Sequence, residues 1–182
     1  MSSSHKTALN IAFCGIVTAF AVILMFLSLI PAFAYAVPAF AGLAVWTVTE
    51  HINIKWAYLC FAAAGIISFM LIPEPEANIF FIMFFGYYPT LCILIDKIGN
   101  RMLRFLAKLA VFNLAVVIAY NLLVFLLSAE EMLEGMEFFG EFALYAFWIF
   151  GNIAFIIYDF ALKTIKEAYR KLIKPKVSSL LR

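Results

Sequence analysis

The sequence predicts an all-α polytopic membrane protein with six transmembrane helices and both termini in the cytoplasm. Three observations predict it: a very apolar composition, long segments without charged residues, and a separation of basic from acidic residues. Of the 182 residues, 66% are hydrophobic and 13% are charged, whereas soluble domains are about 45–50% apolar and about 25% charged. A single soluble core of this size cannot cover that much apolar surface, and a disordered chain has few apolar residues. Both classes are therefore excluded.

Five segments contain no Asp, Glu, Lys or Arg, and their lengths set the number of crossings. A spanning helix needs about 20 apolar residues, within a range of about 17–25. The last four segments have 18, 19, 21 and 17 residues, one crossing each: 56–73, 77–95, 109–129 and 142–158. The first segment, 7–49, has 43 residues. At about 1.5 Å per residue it would be about twice as long as the hydrocarbon core is thick, so it must turn back.

Pro31 and Pro38 bracket the place where this first segment turns, because proline removes a backbone donor and clashes with the preceding helical turn. A single membrane domain over 1–182 is predicted, ending in a basic cytoplasmic tail at 165–182. Its six helices lie at roughly 8–30, 38–50, 55–72, 77–95, 104–128 and 141–164. A kink is expected in the fourth helix at Pro89.

The second helix is short, with 13 residues counted from Pro38, and two alternatives remain open. It begins nearer Ala32 with a kink at Pro38, or 31–37 is a loop folded into the protein. Non-helical backbone at membrane depth is tolerated only when it is buried in protein or lines a cavity. The second alternative would therefore make this loop part of a site.

The distribution of charged residues predicts the orientation of the bundle in the membrane. All 13 basic residues fall at the termini or in the connections after the second and fourth helices, together with four acidic residues. The other connections carry seven glutamates and no Lys or Arg. The positive-inside rule places the basic connections in the cytoplasm. A cleaved signal peptide ending at Ala32–Ala34 is a weaker alternative, because the apolar stretch before it exceeds the usual core of about 7–15 residues.

Catalytic and metal-binding motifs are absent from the sequence. It contains no P-loop, GxGxxG, HExxH or paired-cysteine motif. Glu130–Glu131 resembles the glutamate pair of intramembrane CAAX proteases, but the arginine of that motif and the intramembrane histidines are missing. Cys14, Cys60 and Cys92 lie in apolar segments without ligand spacing. We therefore expect no enzyme, metal or cofactor, and no ATP-driven transport by this chain alone.

Polar and aromatic side chains recur on the last three helices at helical spacing. One face of the sixth helix carries Glu141, Tyr145, Trp148, Asn152 and Asp159. The fifth helix carries Asn113, Tyr120 and Asn121, and Asn78 opens the fourth.

Two interpretations of these residues remain open. In the first, seven of them line an outward-facing pocket for a flat small molecule: Asn78, Tyr120, Asn121, Glu141, Tyr145, Trp148 and Asn152. In the second, the asparagines only bond to neighbouring helices and the aromatic residues only mark the membrane interface. Asp159 lies near the inner boundary, where we expect it to pair with Arg101, Arg104 or Lys108 rather than to bind a ligand.

The first helix carries small residues on one stripe, namely Ala8, Ala12, Gly15 and Ala19. Ala8-xxx-Ala12 is a small-xxx-small spacing, which lets a second helix approach closely. The partner helix is either internal or part of another subunit.

Chain length, six spans, cytoplasmic termini, a proline-interrupted first hairpin and Ala8-xxx-Ala12 together resemble the S components of energy-coupling factor transporters. In that family the S component binds a vitamin or related micronutrient from outside. It topples over to deliver the ligand when docked on a transmembrane T subunit driven by two ATPases.

The resemblance implies a location in the cytoplasmic membrane of a bacterium or archaeon. It implies a ligand site among helices four to six, and contact of Ala8 and Ala12, with Gly15 and Ala19 on the same stripe, with the T subunit. The expected partners are a small-molecule substrate, the T subunit, the two ATPases and the lipid bilayer, with no nucleic acid.

Two other functions fit the same sequence. The first is a non-transporting membrane scaffold, such as the small multi-span proteins that resemble MreD of cell-shape complexes. The second is a self-sufficient small transporter or channel. We rank it last because only Asp159 lies in a predicted span to serve an ion pathway.

Overall fold

The computed structural model describes residues 3–126 and 143–180, and all regular structure in these two ranges is helical. This agrees with the predicted all-α class. The helices are α1 Ser3–Phe26, α2 Val37–His51, α3 Ile54–Leu71, α4 Pro75–Phe80, α5 Tyr88–Ile95, α6 Arg101–Leu126, α7 Ala143–Leu172 and α8 Lys174–Leu180.

Five helical segments of the described ranges are long and apolar enough to cross a membrane. They are His5–Leu29, Ile54–Leu71, Pro75–Ile95, Arg101–Leu126 and Trp148–Leu172. These correspond to the first and the third to sixth predicted helices. The sixth crossing and the cytoplasmic position of both termini stay predictions, because α2 is the shortest of the six.

The connection between α1 and α2 excludes the first predicted alternative, because α2 does not begin near Ala32. It fits the second alternative only in its backbone, because Pro31, Phe33, Tyr35 and Ala36 are exposed and the stretch is not folded into the protein as a whole. Leu27–Leu29 and Pro31–Phe33 form single 3₁₀ turns, and α2 starts only at Val37, with Pro38 in its first turn. Proline fits there because the first helical N–H groups have no intrahelical acceptor. At 15 residues, α2 is about 22 Å long, against about 30 Å for the hydrocarbon core.

The predicted fourth helix is interrupted at its centre. After α4 the chain makes a π-helical turn over Phe81–Phe85, and the Gly86 N–H donates to the Phe81 carbonyl at 2.8 Å. α5 then begins with Pro89 in its first turn. The expected disturbance at Pro89 is present, but the π-turn before it was not predicted. Such turns are frequent at functional sites.

This broken helix, α4 to α5, is the central element of the bundle. Its membrane window is 56% buried, against 17% for α6 and for α7. Helices α1–α3 pack on one side of it around Ala21, Met25 and Val45. On the other side α6 and α7 pack around Phe84 and Phe155.

Gly42 allows α2 to touch the backbone of the broken helix. A Cβ atom at Gly42 would lie 1.9 Å from the carbonyl oxygen of Phe85, far inside van der Waals contact. The absence of a side chain is therefore required for this approach, and not merely tolerated.

The last long helix continues past its predicted end at 164, up to Leu172, and α8 follows it to Leu180. The basic tail is thus helical as far as the structure describes it. Its inner face packs against α2: the Glu50 carboxylate accepts hydrogen bonds from Arg170 at 2.6 Å and from Lys174 at 2.9 Å. The prediction ended the helix at its charged residues, but these ion pairs allow it to continue.

Candidate functional site

A cavity of about 240 Å³ lies between the broken helix, α6 and α7. Its walls are mainly aromatic: the Phe112 and Phe155 rings stack with centroids 4.6 Å apart, and Phe84 meets Phe112 edge-on at 5.3 Å. Small residues on the facing helices, including Ala115 and Gly151, leave the space open. Aromatic walls of this kind favour a flat, largely apolar molecule.

The π-helical turn places four residues of the broken helix in the cavity wall, namely Phe80, Met83, Phe84 and Phe85. Tyr35 reaches the cavity from the α1–α2 connection. The irregular backbone of both segments therefore coincides with the cavity, as expected for non-helical chain within a membrane protein.

Two asparagines lie in the otherwise apolar wall of the cavity and bond to each other. The Asn113 Nδ2 donates to Asn152 Oδ1 at 3.0 Å, and the Asn152 Nδ2 donates to Asn113 Oδ1 at 3.2 Å. Each Nδ2 also donates to a backbone carbonyl four residues earlier, that of Leu109 or Trp148, at 2.8 Å. Both N–H bonds of each amide are thus used, whereas each oxygen keeps a free lone pair. The pair can accept hydrogen bonds from a ligand.

Two tyrosine hydroxyls complete the polar lining. The Tyr158 hydroxyl is buried and has no hydrogen-bond partner within the described ranges. Leaving such a group unpaired costs about 1–3 kcal/mol, but the hydroxyl oxygen is itself buried, so a ligand acceptor would reach it only after the surrounding side chains moved. The Tyr35 hydroxyl donates to Glu76 at 2.8 Å. Partial burial and the nearby Glu76 carboxylate raise the pKa of Tyr35 to about 12, which keeps it a neutral donor at physiological pH.

The predicted pocket residues divide into two groups. Trp148 and Asn152 line the cavity, and so does Asn113, which the sequence placed on the same face of its helix. Glu141 lies outside the described residues.

The other four predicted residues do not line this cavity. Asn78 is buried, and its Nδ2 donates to the Ile72 carbonyl at the end of α3, at 2.8 Å. Asn121 is exposed and bonds back to the Val117 carbonyl of its own helix. Tyr145 is 70% exposed, and Tyr120 is half-buried. Whether any of these residues takes part in binding stays a prediction.

Sequence reasoning missed the aromatic part of the lining. Phe155 and Tyr158 follow Asn152 at steps of three residues and lie on the same side of α7. This three-residue spacing is visible in the sequence, but the predicted face of the sixth helix did not include these two residues. Tyr35 carried no such signal because it comes from a connection without helical periodicity.

An ion cluster lies next to the cavity, toward the basic end of the bundle. The Asp159 carboxylate accepts from Lys108 at 3.1 Å, from Lys163 at 2.9 Å and from the Tyr88 hydroxyl at 2.9 Å. The expected pairing of Asp159 is therefore with Lys108, which also contacts Asp96 at 2.9 Å. The Tyr88 ring stacks on that of Phe84, a cavity residue, at 4.4 Å, so the cluster and the cavity wall are in contact.

The small-residue stripe of α1 faces away from the bundle. Ala8, Ala12, Gly15 and Ala19 are all exposed, and a Cβ atom at Gly15 would meet nothing within 4 Å. The opposite face of α1 supplies the buried residues. Gly15 and Ala19 border an open groove between α1 and α3, so the stripe is accessible to another helix.

No protein family, curated protein or solved structure matches the chain. The cavity, the ion cluster and the exposed stripe of α1 are therefore the observations on which a function can be proposed.

Proposed function

We propose that this chain is the membrane-embedded substrate-binding subunit of a vitamin-type uptake system, similar to the S component of an energy-coupling factor transporter. The observation that carries the proposal is the aromatic cavity with the Asn113–Asn152 pair in its wall. Its volume of about 240 Å³ is below the range of about 300–1,000 Å³ that suits drug-sized ligands. A small planar solute with hydrogen-bond donors on its edge fits such a site.

The position of the cavity supports uptake from outside. Tyr35 and Phe80 line it, and both lie in or next to connections that carry no basic residue. Under the predicted topology this end of the bundle is extracellular. The ion cluster closes the opposite, basic end, where Lys108 is only 3% exposed.

The partners follow from what the chain lacks. It contains no nucleotide-binding motif, so ATP-driven uptake would require other subunits, which in the proposed system are a T subunit and two ATPases. The exposed stripe of α1 supports docking of a transmembrane helix, because small residues allow close packing of helix backbones.

Ligand binding by the purified chain is the direct test. Water-soluble vitamins, their precursors and amino acids are screened by thermal unfolding, and one of them is expected to raise the midpoint by several degrees at saturation. Asn152→Leu should weaken binding of that ligand at least tenfold. Thr164→Val is the control: Thr164 is exposed on the same helix, its hydroxyl donates to the Phe160 carbonyl of that helix, and the variant should bind normally. A screen without any ligand, or equal loss in both variants, contradicts the proposal.

A second experiment separates this function from that of a scaffold, which the exposed stripe of α1 also suits. Ala12→Trp should leave ligand binding by the purified chain intact, but prevent co-purification of the T subunit and ATPases and abolish uptake in cells. A scaffold instead predicts that Trp148→Ala and Asn152→Ala leave cellular function unchanged.

A further inference from the structure

A polar cleft of about 420 Å³ opens at the basic end of the bundle, between the end of α5, the start of α6 and the last turns of α7. It is distinct from the aromatic cavity, with which it shares no lining residue. Its charged lining consists of Asp96, Arg104, Lys163, Lys166, Glu167 and Arg170. Four cations thus face two carboxylates.

Most of these groups already have a partner of opposite charge. Asp96 pairs with Lys108 at 2.9 Å, Lys163 with Asp159 at 2.9 Å, and Arg170 with Glu50 at 2.6 Å. Arg104 and Lys166 form no ion pair with any described carboxylate. The Arg104 guanidinium donates only to the Asp96 backbone carbonyl, at 3.4 Å. Glu167 forms no ion pair with a described residue either, so the unpaired groups of the cleft carry a net charge of +1, with the two cations at Arg104 and Lys166.

Lys166 is held in an unusual environment for a cation. It is 7% exposed, its ammonium donates to the Pro89 carbonyl, and it lies 5.3 Å from the centre of the Trp46 ring. A carbonyl and a ring face offset part of the desolvation of a buried cation, but they bring no opposite charge. An anion in the cleft would supply it.

We propose that this cleft binds the phosphodiester headgroup of an anionic phospholipid, with Arg104 and Lys166 as its principal contacts. The position of the cleft favours a lipid over dissolved phosphate. Arg104 lies in the first turn of the apolar helix Arg101–Leu126, and Lys163, Lys166 and Arg170 lie in the last ten residues of Trp148–Leu172. If these helices cross the membrane, lipid headgroups lie near these helix ends. Basic pockets between transmembrane helices on the cytoplasmic side are known to bind anionic headgroups.

The surface next to the cleft suits acyl chains. Phe160 lies three residues before Lys163, on the same side of α7, and is 73% exposed. Ile93 lines the cleft itself. A lipid bound by its phosphate would thus extend its chains along apolar residues that the bundle leaves uncovered.

Native mass spectrometry of the full chain in detergent tests the proposal, with phosphatidylglycerol and phosphatidylcholine as probes. Phosphatidylglycerol should bind at least fivefold more tightly. Arg104→Gln should weaken its binding about fivefold, in line with the usual contribution of one basic residue near a membrane surface. Arg101→Gln is the matched control: it removes the same charge three residues away, outside the cleft, and should change binding less than twofold.

Glu167→Gln provides a test in which lipid binding is expected to become stronger and not weaker. Glu167 is exposed and lines the cleft, so its neutralisation should strengthen phosphatidylglycerol binding. Equal affinity for both lipids, or equal losses in Arg104→Gln and Arg101→Gln, would overturn the proposal. Inorganic phosphate at millimolar concentration provides a further test. The proposal would also be overturned if phosphate stabilised the protein as much as the lipid does and this effect were lost in Arg104→Gln, because the bound anion would then come from solution.

Discussion

Lys108 and Asp159 show how single residues hold the bundle together. The side chain of Lys108 is 3% exposed and that of Asp159 12% exposed, and they lie on different helices. Removal of one partner from such a pair leaves a buried charge without compensation, which typically costs about 3–5 kcal/mol. The pair is therefore coupled far more strongly than an ion pair at the surface.

Asp159→Ala is expected to lower the free energy of unfolding by about 3 kcal/mol. This value is at the lower end of the range of about 3–5 kcal/mol for a broken buried pair, because Lys108 keeps its contact with Asp96. The double variant Lys108→Met/Asp159→Leu should lose less stability than the sum of the single variants, since it leaves no unpaired buried charge. Asp96 and Lys163, which also lose a partner, are 41% and 56% exposed. Denaturant unfolding of the purified chain measures both. Glu167→Ala is the control, an exposed carboxylate on the same helix, and should change stability by less than about 0.5 kcal/mol. Additive losses would contradict the coupling.

The asparagines show what sequence periodicity can and cannot predict at this scale. Asn113 and Asn121 were placed on one face, but eight residues turn a helix by about 80° beyond two full turns. Asn113 therefore meets Asn152, whereas Asn121 is exposed and bonds to its own helix. Periodicity placed Trp148 and Asn152 on one face of α7, and both line the cavity, but it could not predict which of two asparagines on α6 would meet Asn152.

At the scale of secondary-structure elements, the broken helix likewise has a feature that the local sequence could not predict. Pro89 predicts an interruption of the helix, because proline has no backbone N–H to donate to the preceding helical turn. The π-turn at Phe81–Phe85 had no local signal, since these residues alone would continue a regular helix. It occurs where the backbone of α2 approaches most closely, at Gly42. Contacts between elements thus fixed a feature that no single segment encodes.

Gly42→Ala tests this close approach. The new methyl group would lie 1.9 Å from the Phe85 carbonyl oxygen, so α2 or the π-turn must shift. We expect a loss of at least about 2 kcal/mol in stability, within the range for overpacking of about 1–3 kcal/mol. Gly15→Ala is the matched control in another helix: its methyl group meets nothing within 4 Å, and alanine favours helix by up to about 1 kcal/mol. Thermal unfolding midpoints should fall in the first variant and stay or rise in the second.

For the whole molecule, composition was sufficient to predict an all-helical membrane protein. The number of crossings depends on α2, because at 15 residues it is short for a membrane helix. Its inner face is nevertheless closely packed, with Ala41 and Val45 fully buried. Sequence alone could not decide between a short crossing helix and a re-entrant one, since neither length nor hydropathy separates the two.

Cysteine accessibility decides this point. Cys14, Cys60 and Cys92 are all buried, so labelling by a membrane-impermeant thiol reagent should start from a low background. Three exposed positions follow successive helices: Lys55, Pro73 and Gly99. If α2 crosses, Pro73→Cys is labelled in intact cells, whereas Lys55→Cys and Gly99→Cys are labelled only after permeabilisation. If α2 does not cross, there are two possible outcomes, and Lys6→Cys, at an exposed position near the start of α1, is added to separate both from six crossings. With the N-terminus inside, the pattern inverts at all three positions. With the basic connections still inside, the three positions keep their pattern, but Lys6→Cys is labelled in intact cells, whereas six crossings protect it. Either outcome would leave the chain with five crossings and termini on opposite sides.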